Sequence, residues 1–407
     1  MRPTMVHVFS VMHTALSYKP ISTLSAAQLS RKIVILLAAY NGAKLVSEQI
    51  RSIQKQTISN WTLLVRDDES EDNTKEVLKD FAAKDKRIRC VNDTKGRLGA
   101  ARNFGELMRV ALEEGADAIF FSDQDDIWLP HKIARQLHSL QEMERQHGPG
   151  TPLLCYSDLE VVDQKLHQIH PSFMRYENLR HESHNPIHVL LTQNVVSGCA
   201  VVINRNLLEF VTPIPNEVIL HDWWLAICAA ACGRIGYIDE PLVRYRQHSG
   251  NHIGALTMDR LVNLSAARKR LSKIQDYMLA PVGQAKVLSE RIRGTEITCS
   301  GESLKLLDGF VSCLGQSTIR RLWTVYRLPI RRQGLWRKLL LFLRLLLMRN
   351  RAELKLMRQH DPLDGGALLN RMPSGVPSER NERWRGLTAK NKRRRVVNSQ
   401  NEEQKVV

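Results

Sequence analysis

Lys32–Gly42 reads KIVILLAAYNG. An apolar run of this length, rich in Ile, Val and Leu and closing on Tyr-Asn-Gly, has the composition of a strand buried on both faces. Just beyond it, Val46, Ile50 and Ile53 recur at helical spacing, and Trp61–Arg66 (WTLLVR) reads as a second strand. The alternation continues. Thr74, Val77, Leu78 and Phe81 mark a helix, Ile88–Val91 a short strand and Leu98–Leu112 another helix. Ala118–Phe121 is a fourth apolar strand, and His131–Arg145 is helical again. Strands alternating with helices in this way predict βαβ units and a parallel sheet. Ligands of such sheets bind outside the carboxyl ends of the strands. The residues just after each strand therefore matter most.

Three of these strand ends are polar in a consistent way. They read Ala39-Tyr40-Asn41-Gly42, then Arg66-Asp67-Asp68-Glu69-Ser70-Glu71-Asp72, then Ser122-Asp123-Gln124-Asp125-Asp126. In one parallel sheet they converge on one crevice. An aromatic ring and two acidic clusters suit a nucleobase, a ribose and a metal-bound diphosphate. The cluster at 123–126 is the sharpest, because its carboxylates repel one another and a hard cation such as Mg²⁺ or Mn²⁺ relieves that repulsion. The plainer alternative is an exposed turn with a helix-capping Asp. Likewise, the 67–74 loop could be an acidic helix cap, and Tyr40 a packing aromatic. Arg97, before a helix, is either a phosphate contact or a solvated cation.

Residues 151–250 have a different rhythm. Leu153–Asp158 and Ala200–Ile203 read as strands and Pro186–Gln193 as a short helix. Trp223–Cys232 is a compact apolar helix, followed by two short strands ending near Arg246. Leu220-His221-Asp222-Trp223-Trp224 opens that helix with an acid, normally a cap or dipole partner. In a partly desolvated pocket the same carboxylate could serve as a general base. His248, in a Gly/Ser/Asn loop, is either a surface residue or a ligand of metal or diphosphate.

Composition sets limits around this reading. The 407 residues are 43% hydrophobic and 25% charged, ordinary for a globular chain, but the net charge is +17. Such an excess favours polyanions: nucleic acid, anionic headgroups or phosphorylated substrates. Seven dispersed cysteines with no Cys-x-x-Cys read as thiols in a reduced compartment. Cys228 and Cys232 have no second ligand pair to make a zinc site. Residues 1–31 lack a signal-peptide pattern, and no stretch approaches the ~20 apolar residues of a spanning helix. A cytoplasmic protein is expected. Past Ile253 the sequence turns helical and basic, with Leu335–Met348 (LWRKLLLFLRLLLM) apolar apart from Arg337, Lys338 and Arg344. After Gln359 it shifts to Pro, Gly, Ser and charge, which predicts a disordered tail. The organisation is thus an extension over 1–31, an α/β domain over 32–253, a helical region over 254–358, whose Leu335–Met348 helix either packs on the catalytic domain or lies in the membrane interface, and a basic tail over 359–407.

Together these segments resemble the family 2 glycosyltransferases, in particular the rhamnosyltransferase-like branch that builds bacterial surface polysaccharides. The carrying residues are Leu37–Gly42, Glu48-Gln49-Ile50, Asp67–Thr74, Phe121–Trp128, Val196-Ser197-Gly198-Cys199, His221-Asp222-Trp223-Trp224 and Tyr245-Arg246-Gln247-His248. Each is weak alone; the ordered set is specific, and it covers about residues 32–253. One departure is Glu69, where the family often has Gly.

The resemblance implies an α/β GT-A fold and an inverting transfer of a sugar from a nucleotide-diphosphate donor to an acceptor hydroxyl, in O-antigen or capsule assembly. It implies that Asp68 recognises the base with Tyr40 stacking nearby, that Asn41 and Arg97 contact the donor, and that Asp123 lies near the ribose. Asp125, with His248, would hold Mg²⁺ or Mn²⁺, Asp222 would be the base, and Trp128, His221 and Trp223 would line the acceptor pocket. The family-level acceptor is a lipid-linked oligosaccharide, met by peripheral membrane contact. Two other readings remain. A nucleic-acid-binding protein would explain the charge, but the charge lies in the C-terminal third and no recognition signature accompanies it. A nucleotidyltransferase would need a Gly-rich loop after the first strand, where Ala39–Lys44 has one Gly.

Overall fold

In a computed structural model of the chain, residues 31–247, 276–297 and 299–347 are described. His248, the proposed domain boundary at 253/254 and the basic tail from 359 lie outside them, as does the N-terminal extension up to residue 30.

The predicted alternation is present. β1 (Ile33–Ala39), α1 (Val46–Gln54), β2 (Trp61–Asp67), α2 (Thr74–Lys84), β3 (Ile88–Cys90), α3 (Ala100–Glu113) and β4 (Ala118–Ser122) follow one another. A two-residue β5 (Ile127–Trp128) precedes α4 (Lys132–His147), β6 (Leu153–Val162), β7 (Gln168–His170), α5 (Phe173–Tyr176) and α6 (Ile187–Leu190). A 3₁₀ turn at Gly198–Ala200 leads into β8 (Val201–Asn204), α7 (Arg205–Val211), α8 (His221–Cys232) and β9 (Arg234–Arg246). Beyond lie α9 (Asp276–Arg293), α10 (Gly301–Ser312), α11 (Thr318–Arg327) and α12 (Leu335–Leu347).

The nine strands among the described residues form one sheet in the order β3-β2-β1-β4-β8-β6-β9-β5, with β7 paired to β6. The expected parallel arrangement holds for β3-β2-β1-β4. The other half is mixed: β8 runs antiparallel to both β4 and β6, whereas β9 runs parallel to β6. The two short strands expected before Arg246 are one strand of 13 residues. Its pairing with β6 slips around Pro241, which cannot donate to the ladder; this break is what made it read as two.

The core follows the pleat. Val34 and Leu36 of β1 face one apolar cluster with Phe104, Leu107 and Met108 of α3 and Trp224 of α8. Ile33, Ile35 and Leu37 face another with Ile50 and Ile53 of α1 and Leu137 and Leu140 of α4. Both sheet faces are covered, as the continuous apolar run requires. Val282 and Leu288 of α9, Phe310 of α10 and Leu341 and Leu345 of α12 join the first cluster. The C-terminal helices therefore share the α/β core. Register sets the site: Ala39 lies beside Asp67, and Leu37 beside Ser122. Tyr40, Asp68 and Asp123 consequently leave the sheet along one edge.

Candidate active site

Gln124 fastens the first and fourth strand ends together. Its Nε2 donates to the Tyr40 carbonyl and its Oε1 accepts from the Tyr40 N–H, both at 2.9 Å. A Cβ at Gly42 would lie 2.2 Å from Gln124 Oε1, so a larger residue there would have to displace the amide that ties these strand ends. The acidic loop is tied to the same end. Asn41 N–H donates to Ser70 Oγ at 2.9 Å, Asn41 Oδ1 accepts from Glu71 N–H at 2.8 Å, and Gly42 N–H reaches Thr74 Oγ1 at 2.8 Å. Asn41 is thus a strut between two loops. Over this corner the Arg97 guanidinium lies 4.0 Å from the Tyr40 ring centroid, a cation–π contact. The structure brings these two expected donor residues together.

Asp68 is met by donors of the protein itself. It is 3% exposed. Its Oδ1 accepts from Arg66 Nη1 at 2.9 Å and Leu98 N–H at 2.7 Å, and its Oδ2 from Gly99 N–H at 2.7 Å. Arg66 also grips Asp93 and the Gly96 carbonyl, and its pKa is raised chiefly by Asp93. With three acceptor positions filled, Asp68 anchors the loop that carries Arg97.

The acidic cluster converges as expected. Burial first, then the charges of Asp125 and Asp222, push Asp123 up to about 7. Asp126 is buried and raised well above its ordinary value, by burial and then by Asp125 and Asp123. Its Oδ1 accepts from Arg246 N–H at 3.1 Å, while its buried Oδ2 has no hydrogen-bond partner among the described residues. One oxygen each of Asp123 and Asp126 and the Cys199 sulfur lie within 4.8 Å of one another. Burial, then Asp126, holds the Cys199 thiol protonated. The carboxylates are therefore the donors, and they suit a hard divalent ion. Asp125, the expected ligand, adds its charge to this cluster, but its oxygens are not among the three converging atoms.

Asp222 occupies the first turn of α8, which starts two residues earlier than expected. Its Oδ2 accepts from Gly198 N–H at 3.0 Å and its Oδ1 from Trp223 N–H at 2.6 Å. Burial pushes its pKa up to about 7 against the pull of these donors. A carboxylate oriented by fixed N–H groups and tuned toward neutrality is equipped to take up a proton.

The three expected pocket residues do not line an opening together. Trp128 is 2% exposed, its N–H bound to Ser52 Oγ and its ring packed 4.2 Å from Lys132 Nζ. It is core because β5 adds to the edge of β9 and turns the ring inward. His221 is also buried, 3.8 Å from the Phe104 ring, with no partner on either nitrogen among the described residues. Burial lowers its pKa to about 3, so it is a neutral packing ring. Trp223 is half-buried and donates its indole N–H to the Leu190 carbonyl at 2.6 Å.

Sequence reasoning gave no role to Glu48, Gln124, Gly198 or Arg246. Arg246 is buried; its guanidinium donates to Glu48 Oε2 at 2.7 Å, the Asp125 carbonyl at 2.9 Å and the Gln164 carbonyl at 2.7 Å. The signal was available, since Glu48 and Arg246 both stand in the motifs that carried the resemblance.

The chain is similar to several known proteins. Residues 34–201 match the family described as Glycosyl transferase family 2. Over 249 residues the chain is 29% identical to the dTDP-rhamnosyl transferase RfbG of Shigella flexneri, covering 59% of this chain and 79% of that one. Over 196 residues it is 30% identical to the UDP-Glc:alpha-D-GlcNAc-diphosphoundecaprenol beta-1,3-glucosyltransferase WfgD of Escherichia coli, covering 47% and 68%. Among solved structures, the mannosyltransferase PcManGT of Pyrobaculum calidifontis, in complex with GDP-Man and Mn²⁺, aligns over 84% of this chain and 79% of its own at 15% identity, with a TM-score of 0.44. The mixed α/β sheet, the carboxylates gathered at its edge, the family match and the two bacterial relatives make the chain a member of glycosyl transferase family 2, a glycosyltransferase of GT-A fold.

Proposed function

We propose that the enzyme transfers a sugar from a nucleoside-diphosphate donor to an acceptor hydroxyl with inversion at the anomeric carbon, and that Asp222 is the base. The observation that carries this is Asp222 itself: one carboxylate at the head of a helix, held by two backbone N–H groups and raised toward neutrality, facing the cluster that contains Asp123. Inversion needs a base on the face opposite the leaving group and no covalent enzyme intermediate. Asp222 takes the proton as the acceptor oxygen attacks; the bond from the anomeric carbon to the diphosphate oxygen breaks. Tyr40 stacks near the nucleobase, Arg97 contacts a donor phosphate, and Asp123 lies near the ribose. Asp123, Asp125 and Asp126 are the residues that would hold Mg²⁺ or Mn²⁺, which when bound supplies positive charge for the departing diphosphate.

The names of the two bacterial relatives support rhamnose or another hexose as the sugar and a lipid-linked saccharide as the acceptor; the sequence resemblance adds surface polysaccharide as the product. Such an acceptor is met at the inner face of the cell membrane. Among the described residues no helix is long and apolar enough to cross a membrane, so we infer that contact is peripheral.

The test is a screen of nucleotide sugars with Mn²⁺ or Mg²⁺ present, followed by Asp222→Asn. That variant keeps size and much of the hydrogen bonding. Donor affinity should survive while turnover falls by about 10²–10⁴-fold. Collapsed donor affinity with unchanged turnover at saturation would make Asp222 a binding residue instead.

A further inference from the structure

α11 is built inside out, and α12 carries apolar side chains on its exposed side as well as its buried one. In α11 the buried residues are Arg321, fully enclosed, and Val325, while Ile319, Trp323 and Tyr326 are 81%, 55% and 81% exposed. Those three fall at i, i+4 and i+7, one face of the helix. The enclosed Arg321 spends its donors on the carbonyls of Cys313, Gln316 and Leu345, locking α11 against the end of α12. α12 turns Leu341 and Leu345 inward and leaves Leu335, Trp336, Leu339, Phe342, Leu343 and Leu346 exposed. A water-facing pair of helices would show the reverse arrangement.

Charge selects the occupant. Neither helix contains an acidic residue, and Arg320, Arg327 and Lys338 are exposed, Arg327 lying 5.0 Å from the Trp323 ring. Two copies of so basic a face would oppose like charges. A bilayer interface with anionic headgroups accepts both components: tryptophan and tyrosine at headgroup level, leucine and phenylalanine in the acyl boundary, and cations against phosphate.

We propose that α11 and α12 together form one docking surface for anionic phospholipid, with Trp323, Tyr326, Trp336 and Phe342 as its inserted side chains. It rests on the reading of a membrane-borne acceptor for its purpose, and it names the surface that meets the membrane. The face is coupled to the site. Arg331 N–H donates to the His188 carbonyl at 2.9 Å, Gln333 N–H to Gln193 Oε1 at 2.9 Å, and Arg337 to the Glu177 carboxylate at 3.0 Å. α6, between these anchors, receives the indole N–H of Trp223 through Leu190. Docking therefore fixes the bilayer relative to the end of α8 that bears Asp222.

The experiment is vesicle sedimentation of the full chain without any sugar nucleotide, using phosphatidylcholine alone or mixed with phosphatidylglycerol. Variants are Trp323→Ser with Tyr326→Ser, Trp336→Ser with Phe342→Ser, and all four together; being exposed, they leave the core intact. The expected result is binding to the mixed vesicles, weakened by salt, and lowered by about tenfold or more in each double variant. Equal binding by wild type and the fourfold variant overturns the proposal. So does absence of binding at low salt, or a dimeric wild type that the fourfold variant makes monomeric while vesicles bind neither. Transfer to a soluble acceptor, measured separately, should be unchanged in all variants. Its absence in the wild type would fault the transferase reading and leave the docking result standing.

Discussion

The backbone N–H of Gly198 donates to Asp222 Oδ2 at 3.0 Å across a sequence separation of 24 residues. Nothing larger than glycine fits at that position. An added Cβ would stand 2.7 Å from His221 Nε2 and 3.3 Å from Asp222 Cβ. The His221 ring cannot retreat easily, being stacked on Phe104. Gly198→Ala meets no φ obstacle, so its effect is steric and local. Turnover should fall by about 10²-fold, the scale of a ~1 Å misplacement of a reacting group. Donor KM and the far-ultraviolet spectrum should change little. Wild-type turnover in this variant would mean that the Gly198 contact does not set the position of Asp222.

A second prediction concerns protons. The folded pKa of Asp222 lies near 7, above its ordinary value of 3.8. Between those values the folded protein binds a proton that the unfolded chain has released. The contribution of this group to stability is therefore present at low pH and is lost as pH rises through about 7. Asp123, its charged neighbour, follows the same sign. Buried His221, lowered to about 3, opposes them, because it costs stability as pH falls below its unfolded value. The clean measurement is a difference. With chelator present, Asp222→Asn should gain stability over wild type as pH rises from 5 to 7, by up to about 1.4 kcal/mol per pH unit. Urea unfolding across that range checks it; a gap that does not vary with pH would mean Asp222 is not raised.

Glu69 is the residue at which the chain departs from the family pattern, and it has φ 61°. A residue with a Cβ in the left-handed region costs roughly 1–2 kcal/mol. The acidic turn is kept nonetheless, held by Ser70 N–H donating to Asp67 Oδ2 at 3.0 Å. Glu69→Gly should raise stability by about 0.5–1 kcal/mol in urea unfolding. A loss would show that the Glu69 carboxylate, which faces Gly96, contributes more than the backbone costs.

The first half of the fold was legible because β1 and β4 are apolar on both faces and the helices between the strands carry apolar stripes. Strand direction beyond β4 was not, since a run such as Val201–Asn204 carries no sign of which neighbour it will meet or in which sense. The same limit applies at the site. Asp123 and Asp222 were visible as acids at the ends of apolar elements. The burial of Trp128 was not, because a two-residue strand on an edge leaves no periodic signal. For Asp68 a motif reports that a carboxylate is needed, not that three donors of the protein itself will meet its oxygens. Arg246 and Glu48, 198 residues apart, meet only through tertiary folding.

That last pair carries the final prediction. Arg246 holds the acidic cluster from behind: its N–H binds Asp126 Oδ1, its Nε the Asp125 carbonyl, and its two terminal nitrogens Gln164 and Glu48. Lysine keeps the charge but cannot span three acceptors with one ammonium. In Arg246→Lys the backbone of Asp125 loses its tether, while the Asp126 contact, made by the main chain, is formally retained. The carboxylates should then converge less well. The Mn²⁺ concentration for half-maximal transfer should rise by about tenfold, with smaller loss of turnover at saturating metal. Stability should fall by about 1–3 kcal/mol, since a buried guanidinium contact is broken but its Glu48 partner is partly exposed. Glu48→Gln, which keeps a hydrogen-bond acceptor for Arg246, should change the metal requirement far less. If Arg246→Lys destabilises the protein yet leaves half-saturation by Mn²⁺ unchanged, Arg246 supports the fold alone and the cluster is positioned by other contacts.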